Sequence, residues 1–236
     1  MTLLVIIVIV GLLILGWILQ RDNAEPSGRI ITSTQSNELS RDWQERVERR
    51  AKEFYDDIPE AIEDFEPFYF VFDVETNGLP VFYDAKPKEV DNWPHPLSIG
   101  YVILNEDLEC VKQGYHILDQ KVELDPEAGR IHDINQELID KKGEDPKAVY
   151  QSLLMDLKQC KRLVAHNMDF DRSILEADFI RKKLSTSAFR RKKICTMKKT
   201  TKLVGIYRGY SNQYKWPTLG ELVASCFFIN EDPEGF

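Results

Sequence analysis

The stretch from Phe68 to Val74, FYFVFDV, carries apolar side chains on both alternating faces. A strand with no polar face fits only the middle of a sheet that is covered on both sides. Into that strand Asp73 and Glu75 introduce two carboxylates. Side chains at i and i+2 leave a strand from the same face, so the pair projects together at a separation of roughly 6 to 7 Å. At an effective dielectric near 20 their repulsion is about 2.5 kcal/mol, enough to push a proton onto one of them unless a cation sits between. A divalent ion is the simplest relief. Gly78 and Pro80 end the strand just beyond the pair, so the acids fall at its carboxyl end, where open α/β sheets place their chemistry. An exposed edge strand with solvated acids is the competing reading. The alternation of Phe68, Phe70 and Phe72 against Tyr69 and Val71 opposes it.

A chain of 236 residues that is 43% hydrophobic holds one sizeable domain with appendages and is not a disordered composition. The first appendage is the charge-free run Leu3 to Leu19, which as a helix spans about 26 Å and matches the hydrocarbon thickness of a bilayer. It reads as a transmembrane helix. A cleaved signal peptide is the alternative, but no Lys or Arg precedes the run and no small-x-small site follows it. Arg21 and Arg29 lie on its distal side, which by the positive-inside tendency puts the rest of this single-pass chain in the cytoplasm. Cys110, Cys160, Cys195 and Cys226 show no CxxC pairing, which suits free thiols in a reducing compartment.

The expected organisation is an anchor over 1–20, a linker and juxtamembrane helix over 21–66, and a globular domain over 67–236. In the juxtamembrane part, Leu39, Trp43, Val47, Ala51 and Phe54 recur at spacings of four and three, an amphipathic helix that docks on the domain or self-associates through residues 39–54. Within the domain, strands are expected at Tyr69–Val74, Leu97–Leu104 and Cys110–Leu118, the last two joined by the hairpin signal NEDLE. Helices are expected at Pro126–Asp140, Pro146–Gln159, Phe170–Leu184 and Leu219–Phe227, with short strands at 162–166 and 192–197. A meander of strands followed by alternating helix and strand is an α/β fold, a mixed five-stranded sheet with helices on its faces.

The second carboxylate site lies in LVAHNMDFDRSIL, residues 163–175, where a buried strand ends at His166 and passes through Asn167 into a helix with Asp169 and Asp171 in its first turn. Acids in a first helical turn are ordinary capping, so alone they say little. Together with FDVETNGL, the segment resembles the DEDD superfamily of 3′→5′ exonucleases. The similarity is to its histidine (DEDDh, DnaQ-like) branch, which includes the proofreading subunit of bacterial DNA polymerase III and ribonuclease T. The family pattern D-x-E-T-x-G-L is matched by Asp73, Glu75, Thr76, Gly78 and Leu79, and H-N-x-x-F-D by His166, Asn167, Phe170 and Asp171. The superfamily aspartate thus falls on Asp171, not Asp169. The family's I-H-G-I element appears as Ile131 to Ile134, with Asp133 where the family has glycine. KICTM (193–197) and KWPTLGEL (215–222) also resemble family segments, and the similarity covers Phe68 to the end of the sequence.

The resemblance implies an RNase H-like fold that hydrolyses phosphodiester bonds at nucleic-acid 3′ ends, DNA or RNA, with two Mg²⁺ or Mn²⁺ ions. It assigns catalytic and metal-binding roles to Asp73, Glu75 and Asp171. Contacts to the terminal nucleotide would come from Thr76, Leu79, His132, Asn167 and Phe170. The family's third motif, H-x-A-x-x-D, supplies a general base and a last aspartate, and nothing matching it follows PTLGEL before Phe236. The chain as it stands is therefore expected to lack the C-terminal helix, to expose apolar sheet surface and to be crippled as an enzyme, since loss of a general base alone costs about 10² to 10⁴ in rate. Either a polypeptide cut short or a catalytically inactive, nucleic-acid-binding pseudo-exonuclease accounts for it. Reading the coding DNA past the codon for Phe236 in three frames separates the two.

The net charge is −8, yet Arg181 to Lys202 holds ten Lys or Arg and no acid, leaving 21 basic against 39 acidic residues elsewhere. Such a segment tracks phosphates or forms a solvated face. Trp93, Tyr210 and Trp216 either stack bases or pack locally. His95, His116 and His166 read as structural. A membrane scaffold working through residues 39–54 is the third functional alternative.

Overall fold

The computed structural model describes residues 66–125, 127–128, 132–207 and 213–228. The expected anchor at 3–19, the linker and the amphipathic stripe at 39–54 lie outside these residues. Among the described residues no helix is long and apolar enough to cross a membrane.

Six strands form one mixed sheet: β1 (Tyr69–Thr76), β2 (Pro96–Leu104), β3 (Cys110–Leu118), β4 (Gly143–Glu144), β5 (Arg162–Ala165) and β6 (Lys192–Cys195), in the order β4-β3-β2-β1-β5-β6. The five expected strands are all present. The sixth corrects the five-stranded expectation: β4 is only two residues long, too short for any alternation, and pairs parallel with the end of β3 through Ile117 and Leu118. β1 lies in the centre, antiparallel to β2 and parallel to β5, as a strand apolar on both faces must. The NEDLE turn is closed by Asn105, whose Oδ1 accepts from the Glu109 N–H at 2.8 Å while Leu108 takes a left-handed φ of 68°.

Five described helices flank the sheet: α1 (Gln136–Lys142), α2 (Pro146–Gln159), α3 (Met168–Arg181), α4 (Thr196–Val204) and α5 (Leu219–Phe228). α2 begins as its sequence dictates, with Asp145 Oδ2 accepting from the Ala148 N–H at 3.0 Å and Pro146 at the first helical position. The helix expected over 126–140 is broken instead. Asp133 sits at φ 58°, and Asn135 caps a fresh start at α1 by accepting from the Leu138 N–H at 2.9 Å. Asp tolerates that left-handed conformation through local polar contacts, which explains how it stands where glycine is usual.

α4 was not expected. Its buried stripe is Thr196, Thr200 and Val204, and two threonines hide their hydroxyls by donating to carbonyls four residues back, Thr200 to Thr196 at 2.8 Å and Thr201 to Met197 at 2.9 Å. Gly205, at φ 68°, ends it in the left-handed conformation that glycine adopts without a Cβ clash.

On one face of the sheet Phe70, Phe72, Val74, Ile99 and Tyr101 pack with Tyr150, Leu153, Ile174, Leu175 and Phe179 of α2 and α3. On the other, Tyr69, Val71, Val102, Leu104 and Val164 are buried as well, so the expected exposure of apolar sheet surface is not what these residues show.

Beneath the first face lies a buried polar knot. The Asp178 carboxylate, fully inaccessible, accepts from Tyr150 Oη at 2.7 Å, Gln120 Nε2 at 2.7 Å and Arg181 Nη1 at 3.0 Å, with His95 Nδ1 at 3.4 Å. Arg181 in turn donates to the carbonyls of Val90, Trp93 and Pro94, pinning the loop between β1 and β2. Burial alone would raise the Asp178 pKa; the three donors and the nearby His95 ring outweigh it and hold it at about 2. Because this pKa is depressed, the stability it contributes is present above about pH 4 and is lost as pH falls through about 2. Tyr150→Phe is expected to cost about 2 kcal/mol in urea unfolding at neutral pH, since it removes a hydrogen bond to a buried charge. The cost should shrink in acid, once Asp178 is protonated.

Candidate active site

Asp73 and Glu75 leave β1 on the same side, and across the antiparallel ladder their partners in β2 are Gly100 and Ser98. Both partners are small and buried, so no bulky side chain stands directly across from either acid. The ladder shifts register between Glu75 and Thr76, so that Thr76 pairs with Pro96; an irregularity here ends regular pairing just after the second acid. Beyond it, Asn77 locks the strand end. Its backbone N–H donates to the His95 carbonyl at 3.0 Å, its Oδ1 accepts from the His95 N–H at 2.7 Å, and its Nδ2 donates to the Glu123 carbonyl at 3.1 Å.

The third acid comes from the parallel neighbour. β5 ends at Ala165, the chain turns through His166 and Asn167, and α3 begins, with the Asn167 carbonyl accepting from the N–H groups of Phe170 and Asp171. Asp171 is buried, 3% exposed, and its Oδ1 takes a long 3.4 Å hydrogen bond from the Val74 N–H, between the two β1 acids. Asp169, one position from Phe170 on the other side, points out to Lys198. The structure therefore brings Asp171 to Asp73 and Glu75 and leaves Asp169 aside.

The electrostatics follow from that convergence. The pKa of Asp73 is raised well above the usual carboxylate range by burial first, then by Asp171 and Glu75. Burial lifts Glu75 to about 7. Asp171 also rises to about 7, again chiefly by burial, against the lowering effect of backbone N–H donors. Among the described residues none of the three acids has an ion-pair partner, and no three His, Cys, Asp or Glu side chains close into a ready-made ion cage. The site is an open, desolvated, anionic cluster of oxygen donors. That donor set fits a hard divalent cation, which would neutralise it and complete its coordination from outside the protein.

The expected nucleotide contacts divide. Thr76 is buried and its hydroxyl donates to the Gly78 carbonyl at 2.7 Å, shaping the turn. Leu79 stands 72% exposed at its tip. His132 is drawn to the same place: its Nδ1 accepts from the Ile134 N–H at 3.1 Å, so its Nε2 carries the proton and donates to the Thr76 carbonyl at 3.1 Å. Asn167 makes no capping bond with its side chain. Phe170 is met by Tyr83, their rings 6.4 Å apart and 28° from parallel.

Tyr83 was missed because the loop from Asn77 to His95 has no periodicity to read. Asn92 holds this loop by exchanging hydrogen bonds with Phe82, 2.8 Å to its N–H and 2.9 Å to its carbonyl. Trp93 is buried beneath it, its Nε1 donating to the Lys86 carbonyl at 3.2 Å, and is a packing residue. His166 is a scaffold residue as expected: Nδ1 lies 3.0 Å from Thr196 Oγ1, Nε2 3.0 Å from the Pro217 carbonyl, and burial lowers its pKa. His116 is tied to Glu144 at 2.9 Å.

A mixed sheet covered by helices, with acids gathered at the carboxyl end of its central strand, defines an α/β fold with an anionic site. The RNase_T exonuclease family model matches residues 70–224, and the chain belongs to that exonuclease family. No curated relative matches it significantly. Among solved structures it is similar to a product-bound exonuclease I, at 14% identity and a TM-score of 0.48, covering 61% of this chain and 33% of that one. It is also similar to E. coli exonuclease I in complex with a dA16 oligonucleotide, at 13% identity and a TM-score of 0.46, covering 67% and 39%. A third is a zinc-bound form of the E. coli exonuclease I–ssDNA complex, at 12% identity and a TM-score of 0.47, covering 69% and 41%. The chain thus spans about a third to two fifths of the length of these proteins.

Proposed function

We propose that this chain carries an RNase H-like 3′→5′ exonuclease domain that hydrolyses the terminal phosphodiester bond of a nucleic acid, with Mg²⁺ or Mn²⁺ ions held by Asp73, Glu75 and Asp171. The observation that supports it most is the convergence of one buried carboxylate, Asp171, with two half-buried ones, Asp73 and Glu75, of which Glu75 and Asp171 have pKa values lifted to about 7, with no cation of their own among the described residues. Bound there, such ions supply Lewis-acid stabilisation of the phosphate and lower the pKa of an attacking water. The protein's own part is positioning. Val74 and the Asn167 turn fix Asp171. His132 fixes the Thr76 carbonyl, so that the backbone from Thr76 to Leu79 receives the terminal nucleotide. Leu79 and Phe170, with Tyr83 beside it, offer apolar surface for its base.

A second reading, a nucleic-acid-binding module without hydrolysis, is favoured by one observation. The four histidines of the chain are all engaged elsewhere, His95 with Asp178, His116 with Glu144, His132 with Thr76 and His166 with Pro217. Incubating the purified protein with a 5′-labelled oligonucleotide separates the two readings. Progressive 3′ shortening in Mn²⁺ or Mg²⁺, absent in EDTA, is expected from the first. Retention of the label by the protein with no shortening supports the second, and absence of both overturns each. The charge-free run 3–19 further supports a single-pass membrane anchor with the domain on the cytoplasmic side, and the 39–54 stripe supports self-association. Release of the full chain from membranes by alkaline carbonate would refute the anchor.

A further inference from the structure

The exposed side of α4 is a row of lysines. Thr196, Thr200 and Val204 face inward, which leaves Lys198, Lys199 and Lys202 together on the solvent side, the outer two separated by about one helical turn of 6 Å. One end of the row meets the first turn of α3, the helix that carries Asp171. Lys198 bridges to Asp169 in the first turn of α3, next to Phe170 and Asp171, and its ammonium lies 5.8 Å from the centre of the Trp216 ring.

Trp216 is 61% exposed, although its neighbours are firmly seated. The Pro217 carbonyl accepts from His166, the Lys215 N–H donates to the Ile206 carbonyl at 2.8 Å, Lys215 Nζ pairs with Glu221 at 2.5 Å, and the Thr218 N–H donates to Glu221 at 2.8 Å. An indole held out on a rigid seat, with a cation over its face, is not a packing residue.

The surrounding charge has the same sign. Of the ten cations between Arg181 and Lys202, Arg181 and Arg191 are consumed by backbone carbonyls and Lys198 by Asp169. The other seven have no ion pair among the described residues. Lys192 and Lys193 lie on β6, the edge strand from which α4 springs. In a protein of net charge −8, such a concentration, tied through Asp169 to the helix that carries Asp171, fits a polyanion whose end is brought to the acids.

We propose that α4 and Trp216 form the track for the single-stranded polynucleotide upstream of the reacting end, with Trp216 stacking a base and Lys199 and Lys202 taking successive phosphates. The proposal rests on the reading of the acid site as a nucleic-acid site. An anionic lipid surface would suit lysines and an exposed indole as well, but the tie through Asp169 to the helix that carries Asp171 favours the polynucleotide.

The test uses the full-length protein in Ca²⁺, a hard cation for the same oxygen donors, with fluorescence anisotropy of a labelled dinucleotide and of an oligothymidylate of about 12 nucleotides, read before any shortening. For K199Q/K202Q, the slope of log Kobs against log salt between about 50 and 200 mM is expected to become shallower by about 1.4 for the longer strand. Dinucleotide binding should be unchanged. Trp216→Ala should weaken the longer strand about tenfold and leave the salt slope alone. Matching circular dichroism melts establish that both variants are folded. An unchanged slope in the lysine variant, or an equal loss for the dinucleotide, would overturn the track while leaving the site itself standing. If the parent protein binds neither oligonucleotide, the functional reading falls and the track with it. Loss of binding to phosphatidylserine vesicles, with oligonucleotide binding intact, would reassign the row to a membrane.

Discussion

Asp73→Asn is expected to cut 3′ shortening of an oligonucleotide by about three orders of magnitude and, in the same preparation, to raise the melting temperature of the metal-free protein. The two effects share one cause. Asp73 is pushed up by burial and by both other acids, so it is the member on which the cost of the cluster concentrates. An amide of nearly the same shape removes that charge. At 6 to 7 Å and an effective dielectric near 20, each unit repulsion removed is about 2.5 kcal/mol, so a gain of about 2 kcal/mol in urea unfolding is expected. Function moves the other way, because the site loses a ligand for an ion that supplies several kcal/mol of charge stabilisation, and each 1.36 kcal/mol is tenfold in rate. A variant that is both less stable and less active would show that Asp73 is a packing residue and sink the assignment. If the parent protein proves inactive, the stability arm still reports whether the acids repel.

The same acids show how much could be read without coordinates. β1 was legible because its residues are apolar at every position except two, and an interruption at i and i+2 has few meanings. The choice of Asp171 over Asp169 was legible only through the family resemblance. In a helical first turn both are ordinary, and the hydrogen bond from Val74 that distinguishes them crosses ninety-seven positions of sequence. What stayed hidden has physical reasons. α4 buries threonines whose hydroxyls are satisfied by their own helix, so no hydrophobic period marks it. Tyr83 lies in a loop fixed by one asparagine and one buried indole, which leave no pattern. Asp178, two turns after Asp171 on the same helix, looks like any polar helical position until Tyr150, Gln120 and Arg181 converge on it.

Asp178 and the site acids also respond to pH in opposite directions, which gives a second large effect. Glu75 and Asp171 have pKa values raised to about 7, so the folded chain holds their protons more tightly than the unfolded chain does. The stability this contributes is fully present below the unfolded pKa, near 4, and is lost as pH rises through about 7. At 1.36 kcal/mol per unit, discounted because Glu75 is only half-buried and Asp171 shares its proton balance with Asp73, the loss is about 3 kcal/mol. Asp178 contributes the reverse slope, gained as pH rises from about 2 to 4. Metal-free protein is therefore expected to be most stable near pH 4 to 5 and to soften toward pH 8. Adding Mn²⁺ should do little at pH 5, where protons already neutralise the cluster. At pH 8 it should restore the lost stability, because an ion that binds only the folded site stabilises by mass action. Calorimetric melts in EDTA and in Mn²⁺ across this range decide the point. A metal-free melting temperature that climbs steadily to pH 8, with no response to the ion, would mean that the three carboxylates are solvated independently and that no cation site exists among them.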